Sequence, residues 1–203
     1  HLWKRALTVS DARRRDLSRL LSDDELERAQ RFRFARDRRR FVVARATLRL
    51  ILGRYTGLAP QDLRLQYNEY GKPSLEPSCG GAWLRFNLAH AHELAIFGVT
   101  RRAEIGVDLE LVRTDLAHER LAEHFFAPAE VTMLKSVAGE ARVAAFFNGW
   151  TRKEAYIKAQ GMGLSLPLDE FEVSLLPGAP VSLLKAAGGQ ETSEWSLSAV
   201  DTE

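Results

Sequence analysis

The sequence predicts an α+β fold made of two halves of similar size. Each half runs through a strand, then helices, then further strands, and 203 residues suffice for one large domain or two small ones. An apolar content of 45% and a charged content of 28% are typical of a soluble globular protein. The division is expected near Val99 to Ala103, giving an N-terminal lobe of residues 1–100 and a C-terminal lobe of residues 101–203. The two halves share no visible sequence identity, so this repeat rests on the order of elements alone.

The first third of the chain predicts one edge strand and two helices. Leu2 to Val9 alternates weakly between apolar and polar residues, which favours an edge strand. Ser22 followed by Glu25 is a capping-box signature for a helix start. That helix continues at a spacing of three through Leu26, Ala29 and Phe32. From Phe41 to Tyr55 apolar residues keep helical spacing for about four turns, until Gly57 ends the helix.

A strand and a basic loop follow. Leu63 to Tyr67 is expected to form a strand, and Asn68 to Pro73 a loop in which Gly71 lets the backbone turn. Lys72 projects a cation from this loop. A lysine in such a position is more often plain surface than a ligand-binding residue.

Two further strands predict a hairpin that carries histidines. Phe86 to Leu88 and Leu94 to Val99 are expected to pair, joined by Ala89 to Glu93, which includes His90 and His92. Neither histidine has metal-ligand spacing with a partner, because the other three histidines are scattered. His92 is expected to face solvent.

A short apolar run opens the second half. Residues Ala103 to Glu110 read AEIGVDLE, which fits a buried strand ending in Asp108 and Glu110. Side chains at i and i+2 point to the same side of a strand, so the two carboxylates repel unless a cation lies between them. Mg²⁺ takes oxygen ligands of this kind. A solvated strand end is an equally good interpretation of this stretch alone.

The remaining pattern predicts three helices followed by three closing strands. The helices are expected at Leu116–His124, Pro128–Val137 and Ala141–Gly161. The strands are expected at Phe171–Leu175, Val181–Leu184 and Trp195–Val200.

The last of these helices carries a polar pair on an otherwise apolar face. Glu154 and Lys158 are four residues apart in the stabilising order, and on a solvated helix such a pair contributes roughly 0.3–0.5 kcal/mol. A bulky cluster that includes Trp150 precedes them, and Gly161 ends the helix. These flanks favour a carboxylate and an amine held against the body of the protein rather than in solvent.

Charge is distributed unevenly along the chain. Residues 1–60 hold 16 Lys and Arg against 7 Asp and Glu, whereas the remainder holds 13 against 20. Arg13–Arg15 is expected to be solvated helix surface, and at least one of Arg36–Arg40 to bind phosphate. A nucleic-acid-binding protein is the rival class. The basic segments of this chain, however, lack interleaved aromatic residues for base stacking beyond Phe32 and Phe34.

Several classes of protein are disfavoured by composition. No apolar run approaches the roughly 20 residues of a membrane span, and the basic N-terminus lacks a signal-peptide core. One cysteine, Cys79, excludes an internal disulfide within this chain, so a cytoplasmic location is expected. The chain starts at His1 without a methionine and stops soon after a predicted strand, so either end is expected to be a cut.

Four ordered motifs carry a family resemblance. YGKPSL (70–75), FNLAHA (86–91), IGVDLE (105–110) and WTRKEAYIKAQGMGLSLPLDEF (150–171) resemble the 4′-phosphopantetheinyl transferases of the surfactin-synthetase-activating type. These enzymes move the phosphopantetheine arm of coenzyme A onto a serine of a carrier protein. The motifs span about half the chain, and the last two together are specific. The resemblance implies two similar α+β lobes related by a pseudo-twofold axis, with the site in the cleft between them.

The resemblance also implies roles for individual residues. It makes Asp108, Glu110 and Glu154 the ligands of Mg²⁺, with Mn²⁺ left open, and it places Lys158 against the coenzyme A phosphates. Nucleotide and phosphate contacts fall on His90 and Lys72, and more loosely on Arg40. Ala89 stands where the family often has a serine, so backbone contacts would have to replace any contact of that side chain.

The implied reaction is attack by a serine hydroxyl on the phosphorus nearer the pantetheine, with 3′,5′-ADP leaving. Asp108, Glu154 and Lys158 would be the catalytic residues, and either Glu154 or a metal-bound water would be the general base. The nearest rival is a Mg²⁺-dependent hydrolase of a nucleotide pyrophosphate, which would release product without a carrier.

The resemblance implies an acidic acyl or peptidyl carrier protein as the partner, and a monomer as the working form. We expect the carrier to dock on Val112 to Lys135, where apolar side chains exceed what one short segment needs for its core. These side chains are Phe125, Phe126, Met133 and Leu134. Burial of all four is the alternative.

Overall fold

The computed structural model describes residues 1–114 and 118–202 and divides into two compact units. The first unit holds His1–Leu109 with Lys158–Gly161, and the second holds Glu110–Ile157 with Met162–Glu203. Helices and small antiparallel sheets make up both units. The predicted α+β class and the two-part organisation are confirmed.

The first unit consists of three helices, a three-stranded sheet and a small hairpin. Its elements are β1 (Leu2–Ala6), α1 (Asp11–Ser18), α2 (Asp23–Gln30), α3 (Ala35–Thr56), β2 (Leu65–Tyr67), β3 (Pro73–Leu75), β4 (Leu84–Ala91) and β5 (Leu94–Arg101). The larger sheet is antiparallel throughout, in the order β1-β5-β4. As predicted, β1 is an edge strand.

Both helices predicted in this region are present, and their ends follow from local chemistry. Ser22 and Glu25 form the expected capping box at the start of α2. The helix α3 ends at Gly57, which has a φ of 76° that a residue without Cβ adopts at no steric cost. The sequence did not indicate α1 or β3, each of which is short.

The hairpin that carries the histidines is longer than its apolar pattern predicts. Ala91 pairs with Leu94, so only His92 and Glu93 form the turn, and His92 has a φ of 51°. His92 is exposed, as predicted. The prediction that His90 lies in the connection is wrong, because His90 lies within β4 and pairs with Ala95 of β5.

The prediction of a strand at residues 103–110 is also wrong. This segment has no ladder partner among the described residues. The backbone N–H of Val107 instead donates a hydrogen bond to a side-chain oxygen, Asn87 Oδ1, at 2.9 Å. Ile105 and Val107 pack with Ala89 on one face of the sheet. The segment therefore packs against one face of the sheet, with Val107 buried and Ile105 partly buried, and forms no ladder with a described strand.

A buried ion pair ties the helices of the first unit together. Arg49 of α3 has a side chain that is 1% exposed and donates to Glu25 Oε2 at 2.6 Å. The same guanidinium donates to Ser22 Oγ and to the carbonyl oxygens of Pro60 and Leu63. Four partners satisfy a charge that would otherwise be costly to bury. The capping box of α2 thus also anchors α3.

The second unit is built around one long helix. Its elements are α4 (His118–Phe125), α5 (Pro128–Ser136), α6 (Gly139–Gln160, with residues 158–160 counted in the first unit), β6 (Glu172–Val173) and β7 (Leu183–Lys185). The three helices match their predictions in position, although Leu116 lies outside the described residues. The two observed strands are shorter than predicted.

The prediction of a third closing strand at Trp195–Val200 is wrong. Trp195 and Leu197 alternate with exposed residues and pack on the core of the second unit. No strand pairs with this segment among the described residues. An alternating pattern of burial therefore occurs here in an irregular segment, whose side chains pack on the core although its backbone joins no described strand.

A second buried ion pair lies in the core of the second unit. Lys153 of α6 is 1% exposed, and its Nζ lies 2.7 Å from Glu130 Oε2. Lys153 also donates to the carbonyl oxygens of Leu168 and Phe171, while Glu130 accepts from the N–H of Val173. Burial raises the pKa of Glu130 and lowers the pKa of Lys153. The pair fixes the chain after α6 against α5.

None of the helices in residues 1–114 and 118–202 combines the length and apolar character needed to cross a bilayer.

We expect Arg49→Ala to destabilise the protein strongly, because it leaves Glu25 buried without its closest cation. The free energy of unfolding should fall by about 3–5 kcal/mol, measured by urea denaturation followed by circular dichroism. Arg39→Ala, on an exposed part of the same helix, is the matched control and should change it by less than about 0.5 kcal/mol. A loss no larger than that of the control would show that the buried pair does not hold the first unit together.

Candidate active site

A group of charged side chains gathers in the first unit, around the end of β4. His90 is the next-to-last residue of this strand, and both Arg40 of α3 and Lys158 of α6 act on its imidazole electrostatically. His90 keeps solvent access, yet the protein around the ring removes enough water to lower its pKa from the ordinary value of a histidine. Arg40 and Lys158 lower this pKa further, while a backbone hydrogen bond and Asp37 oppose them. The ring is therefore neutral at neutral pH and can donate one hydrogen bond and accept another.

Arg40 is the one member of the Arg36–Arg40 cluster that is fixed at this site. Its side chain is 13% exposed, and its Nε and Nη2 both donate to Glu93 Oε1, at 3.0 and 2.6 Å. Asp37 Oδ1 lies 3.5 Å from Nη1. The arginine lowers the pKa of Glu93 by its hydrogen bond, so this carboxylate stays ionised. Two carboxylates thus hold the guanidinium in place beside His90.

Lys158 and Asp108 form the central ion pair of this group. Lys158 Nζ donates to Asp108 Oδ1 at 2.5 Å. The carboxylate side chain is 4% exposed and the lysine side chain is 30% exposed. Lys158 thus makes an ion pair with a residue fifty positions away in the chain. Its exposed fraction leaves the ammonium group accessible from solvent.

The second oxygen of Asp108 is the clearest indication of which ligand this site suits. Asp108 Oδ2 is buried and has no hydrogen-bond partner among the described residues. A buried carboxylate oxygen without a partner is costly, and a divalent cation is a suitable partner for it. The donor chemistry at Asp108 therefore fits a hard cation such as Mg²⁺.

The other two predicted metal ligands belong to the second unit. Glu110 and Glu154 each make an interaction within the described chain. Within residues 1–114 and 118–202, no three His, Cys, Asp or Glu side chains are arranged as a metal-binding group. The three-carboxylate set stays a prediction, supported in this structure by Asp108 alone.

Lys72 lies at the C-terminal end of α6 rather than free in solvent. Its Nζ donates to the carbonyl oxygen of Ala159 and to Glu104 Oε2, both at 2.7 Å. The neighbouring Asn68 donates to the carbonyl oxygen of Gly161 at 2.7 Å. A cation at a helix C-terminus is favoured by the helix dipole. The Gly-Lys-Pro loop therefore caps α6 immediately after Lys158.

Sequence reasoning missed the structural role of Lys153, although a signal was present. Lys153 is spaced three and four residues from Trp150 and Ile157, on the apolar stripe of α6. A lysine on such a stripe indicates a buried, paired amine.

The predicted docking side chains separate into buried and exposed groups. Phe126 and Leu134 are 3% and 1% exposed and belong to the core, so their assignment to a docking surface is wrong. Phe125 is half-buried, with its ring centroid 5.6 Å from that of Trp150. Met133 is 43% exposed. Residues 115–117 of the predicted surface lie outside the described residues.

Comparison with known proteins gives a consistent result over nearly the whole chain. The model of the 4′-phosphopantetheinyl transferase superfamily matches residues 104–201. The model of the 4′-phosphopantetheinyl transferase N-terminal region matches residues 9–100. Together the two matches cover both units.

Individual relatives carry the same description. The 4′-phosphopantetheinyl transferase HetI of Nostoc sp. is 41% identical over 97% of this chain and 80% of its own length. The 4′-phosphopantetheinyl transferase Sfp of Bacillus subtilis is 31% identical over 80% of this chain and 70% of its own. A phosphopantetheinyl transferase of Thraustochytrium sp. is 29% identical over 95% of this chain and 71% of its own.

We expect the pKa of His90 to lie below that of an ordinary histidine, because desolvation and two nearby cations favour its neutral form. Arg40→Leu should raise this pKa, since it removes one of those cations. Arg39→Leu, an exposed neighbour on α3, is the matched control and should leave it unchanged. The pKa is read from the imidazole proton shifts in an NMR titration. A pKa that does not respond to Arg40→Leu would separate Arg40 from this site.

Proposed function

We infer that this chain, which belongs to the 4′-phosphopantetheinyl transferase superfamily, transfers the 4′-phosphopantetheine arm of coenzyme A to a carrier-protein serine. The observation that carries the site assignment is the Asp108–Lys158 pair. It joins a carboxylate with an unpartnered buried oxygen to an accessible ammonium, beside a neutral histidine and a fixed arginine. This arrangement suits a pyrophosphate with its metal ion.

The basic residues supply the proposed contacts to coenzyme A. Lys158 offers a positive charge to the phosphates, and Arg40 is pre-oriented by its carboxylates to bind the nucleotide end. His90 donates a hydrogen bond as a neutral imidazole. Lys72 uses two of its three N–H bonds on Glu104 and Ala159, and we assign the third to a phosphate oxygen. Because these donors are held in place before the substrate binds, they favour electrostatic stabilisation of the transition state.

The acidic residues are proposed to hold Mg²⁺. We assign Asp108, Glu110 and Glu154 as its protein ligands, with support from the buried Oδ2 of Asp108. When bound, the metal ion would offset negative charge on the pyrophosphate as the bond to 3′,5′-ADP breaks. Lys158 holds Asp108 by one oxygen and so leaves the other for the metal.

The serine hydroxyl must lose its proton as it attacks the phosphorus nearer the pantetheine. We assign Glu154 as the carboxylate that accepts this proton. The enzyme then holds the proton, and the carrier serine holds the phosphopantetheine through a new phosphoester bond. 3′,5′-ADP leaves with the electron pair of the broken P–O bond.

The carrier protein is proposed to dock on the second unit at residues 112–135. Exposed Val112 and Met133 are the apolar side chains that support this surface. An apolar groove of about 190 Å³ lies beside Met133 and is also lined by Leu175, Leu176 and Leu184. We propose that the carrier is acidic, as the family resemblance implies. We propose that the reaction takes place in the cytoplasm on a single copy of this chain.

We expect the purified chain, coenzyme A and Mg²⁺ to add the mass of one phosphopantetheine group to an apo carrier protein. Intact mass spectrometry measures this gain, and EDTA should abolish it because the pyrophosphate charge is then not offset. Release of 3′,5′-ADP without any change in the carrier would instead indicate a hydrolase. No reaction on several carriers would contradict the proposed transfer.

Asp108→Asn should lower the transfer rate to below about a tenth of the original while the protein stays folded, because it removes a charged metal ligand. Glu27→Gln removes a carboxylate that is 70% exposed in the same unit and is the matched control. Initial rates are measured by the same mass shift, and folding by circular dichroism. Activity of Asp108→Asn near that of the control would remove Asp108 from the site.

Lys158→Ala should slow turnover but retain metal binding, because it removes a phosphate-facing charge and leaves the carboxylates in place. Lys185→Ala, an exposed lysine of β7, is the control. Turnover rates are compared with Mn²⁺ affinity, measured by electron paramagnetic resonance. Unchanged turnover would limit Lys158 to a structural ion pair with Asp108.

A further inference from the structure

The segment that presents Asp108 is attached to the sheet on a single face. Asn87 pairs with Gly98 and Ala89 pairs with Ile96 across β4 and β5. Residues paired across an antiparallel ladder point to the same side of the sheet. Asn87, Gly98, Ala89 and Ile96 therefore share one face, while their neighbours Phe86 and Val99 belong to the main core on the other.

Apolar packing aims Asp108 away from that face. Ile105, Val107 and Leu109 pack with Ala89 and Ile96. Asp108 lies between two of these packed residues and instead contacts Lys158. Because Asp108 points away from the face on which its neighbours pack, the direction of its carboxylate depends on how firmly Val107 and Leu109 are held against the sheet.

Asn87 supplies the polar contact that sets the register of this segment. It is 6% exposed, and its Oδ1 accepts the backbone N–H of Val107 at 2.9 Å. Apolar contacts alone allow sliding, whereas a buried N–H must find its acceptor. The hydrogen bond therefore fixes the residue immediately before Asp108.

Gly98 makes room for the same contact. A Cβ added at Gly98 would lie 2.6 Å from Ile105 Cδ1 and 2.9 Å from Val107 Cγ1. The side chain of Val107 is β-branched and has little freedom to move aside. The absence of a side chain at Gly98 thus lets the segment approach closely enough for Val107 to reach Asn87.

We propose that Asn87, seated opposite Gly98, is the positioning residue that sets the Asp108 carboxylate for metal binding. Asn87 acts through the backbone of Val107 and touches neither substrate nor metal. This inference rests on the metal-binding role proposed for Asp108. It gives the asparagine of the FNLAHA motif a function separate from that of His90.

The test compares Asn87→Leu, which keeps the number of side-chain heavy atoms but removes the acceptor, with Val99→Ala on the opposite face of the same sheet. Mn²⁺ is the probe, and its affinity is measured by electron paramagnetic resonance. Asn87→Leu should weaken Mn²⁺ binding by about 10- to 100-fold, the usual effect of losing a residue that orients a ligand. Amide hydrogen exchange should show selective loss of protection at Val107. Val99→Ala should lower overall stability without either effect.

A second variant keeps the inference testable if Asn87→Leu does not fold. Gly98→Ala leaves Asn87 in place but displaces Ile105 and Val107, so it should also weaken Mn²⁺ binding. The Mg²⁺ concentration that gives half-maximal transfer should rise in both variants, whereas the KM for coenzyme A changes less.

The outcomes separate this inference from the proposed function. If the unaltered chain binds Mn²⁺ and both variants bind it as tightly as Val99→Ala does, the positioning role is overturned and the metal-binding role of Asp108 stands. If the unaltered chain transfers phosphopantetheine but binds no Mn²⁺, the metal-binding role of Asp108 and this inference both fall.

Discussion

The buried carboxylate of Asp108 is the constraint on which the site in the first unit depends. A carboxylate taken out of water must be paired or coordinated, and Lys158 satisfies one of its oxygens. The protein keeps this unfavourable arrangement by using uncharged contacts to hold the segment that carries Asp108. Packing against the sheet and the hydrogen bond from Val107 to Asn87 supply those contacts. The cost of burying the charge is thus met by neighbouring residues that have no part in the chemistry.

Three lysines have different roles because their surroundings differ. Lys153 and Lys158 are five residues apart on one helix, so they project in different directions. Lys153 is enclosed by carbonyl oxygens and Glu130, which makes it a structural cation. Lys158 retains solvent access beside Asp108, which makes it available to a ligand. Lys72 caps α6 through the carbonyl oxygen of Ala159 and also pairs with Glu104.

The basic character of the first sixty residues also has more than one cause. Arg49 is buried in the capping box of α2 and contributes to folding. Arg40 is held by Glu93 and Asp37 next to His90 and belongs to the site. Arg38 and Arg39 are exposed, and so are Arg13 and Arg15 of α1. An excess of arginine in a sequence therefore combines core, site and solvated residues, which only burial separates.

The sequence alone determined the features that depend on neighbours along the chain. Apolar spacing predicted α3 and α6, and the glycines at residues 57 and 161 predicted their ends, because both the spacing and the positive φ are local properties. The motif order determined the family and hence the proposed chemistry. Tertiary structure decided which partner each charge received, as for Lys158 with Asp108 across fifty residues. It also decided that residues 103–110 pack against one face of a sheet instead of joining it. Pairing of this kind depends on the direction and burial of side chains from distant segments, which no local pattern of residue types contains.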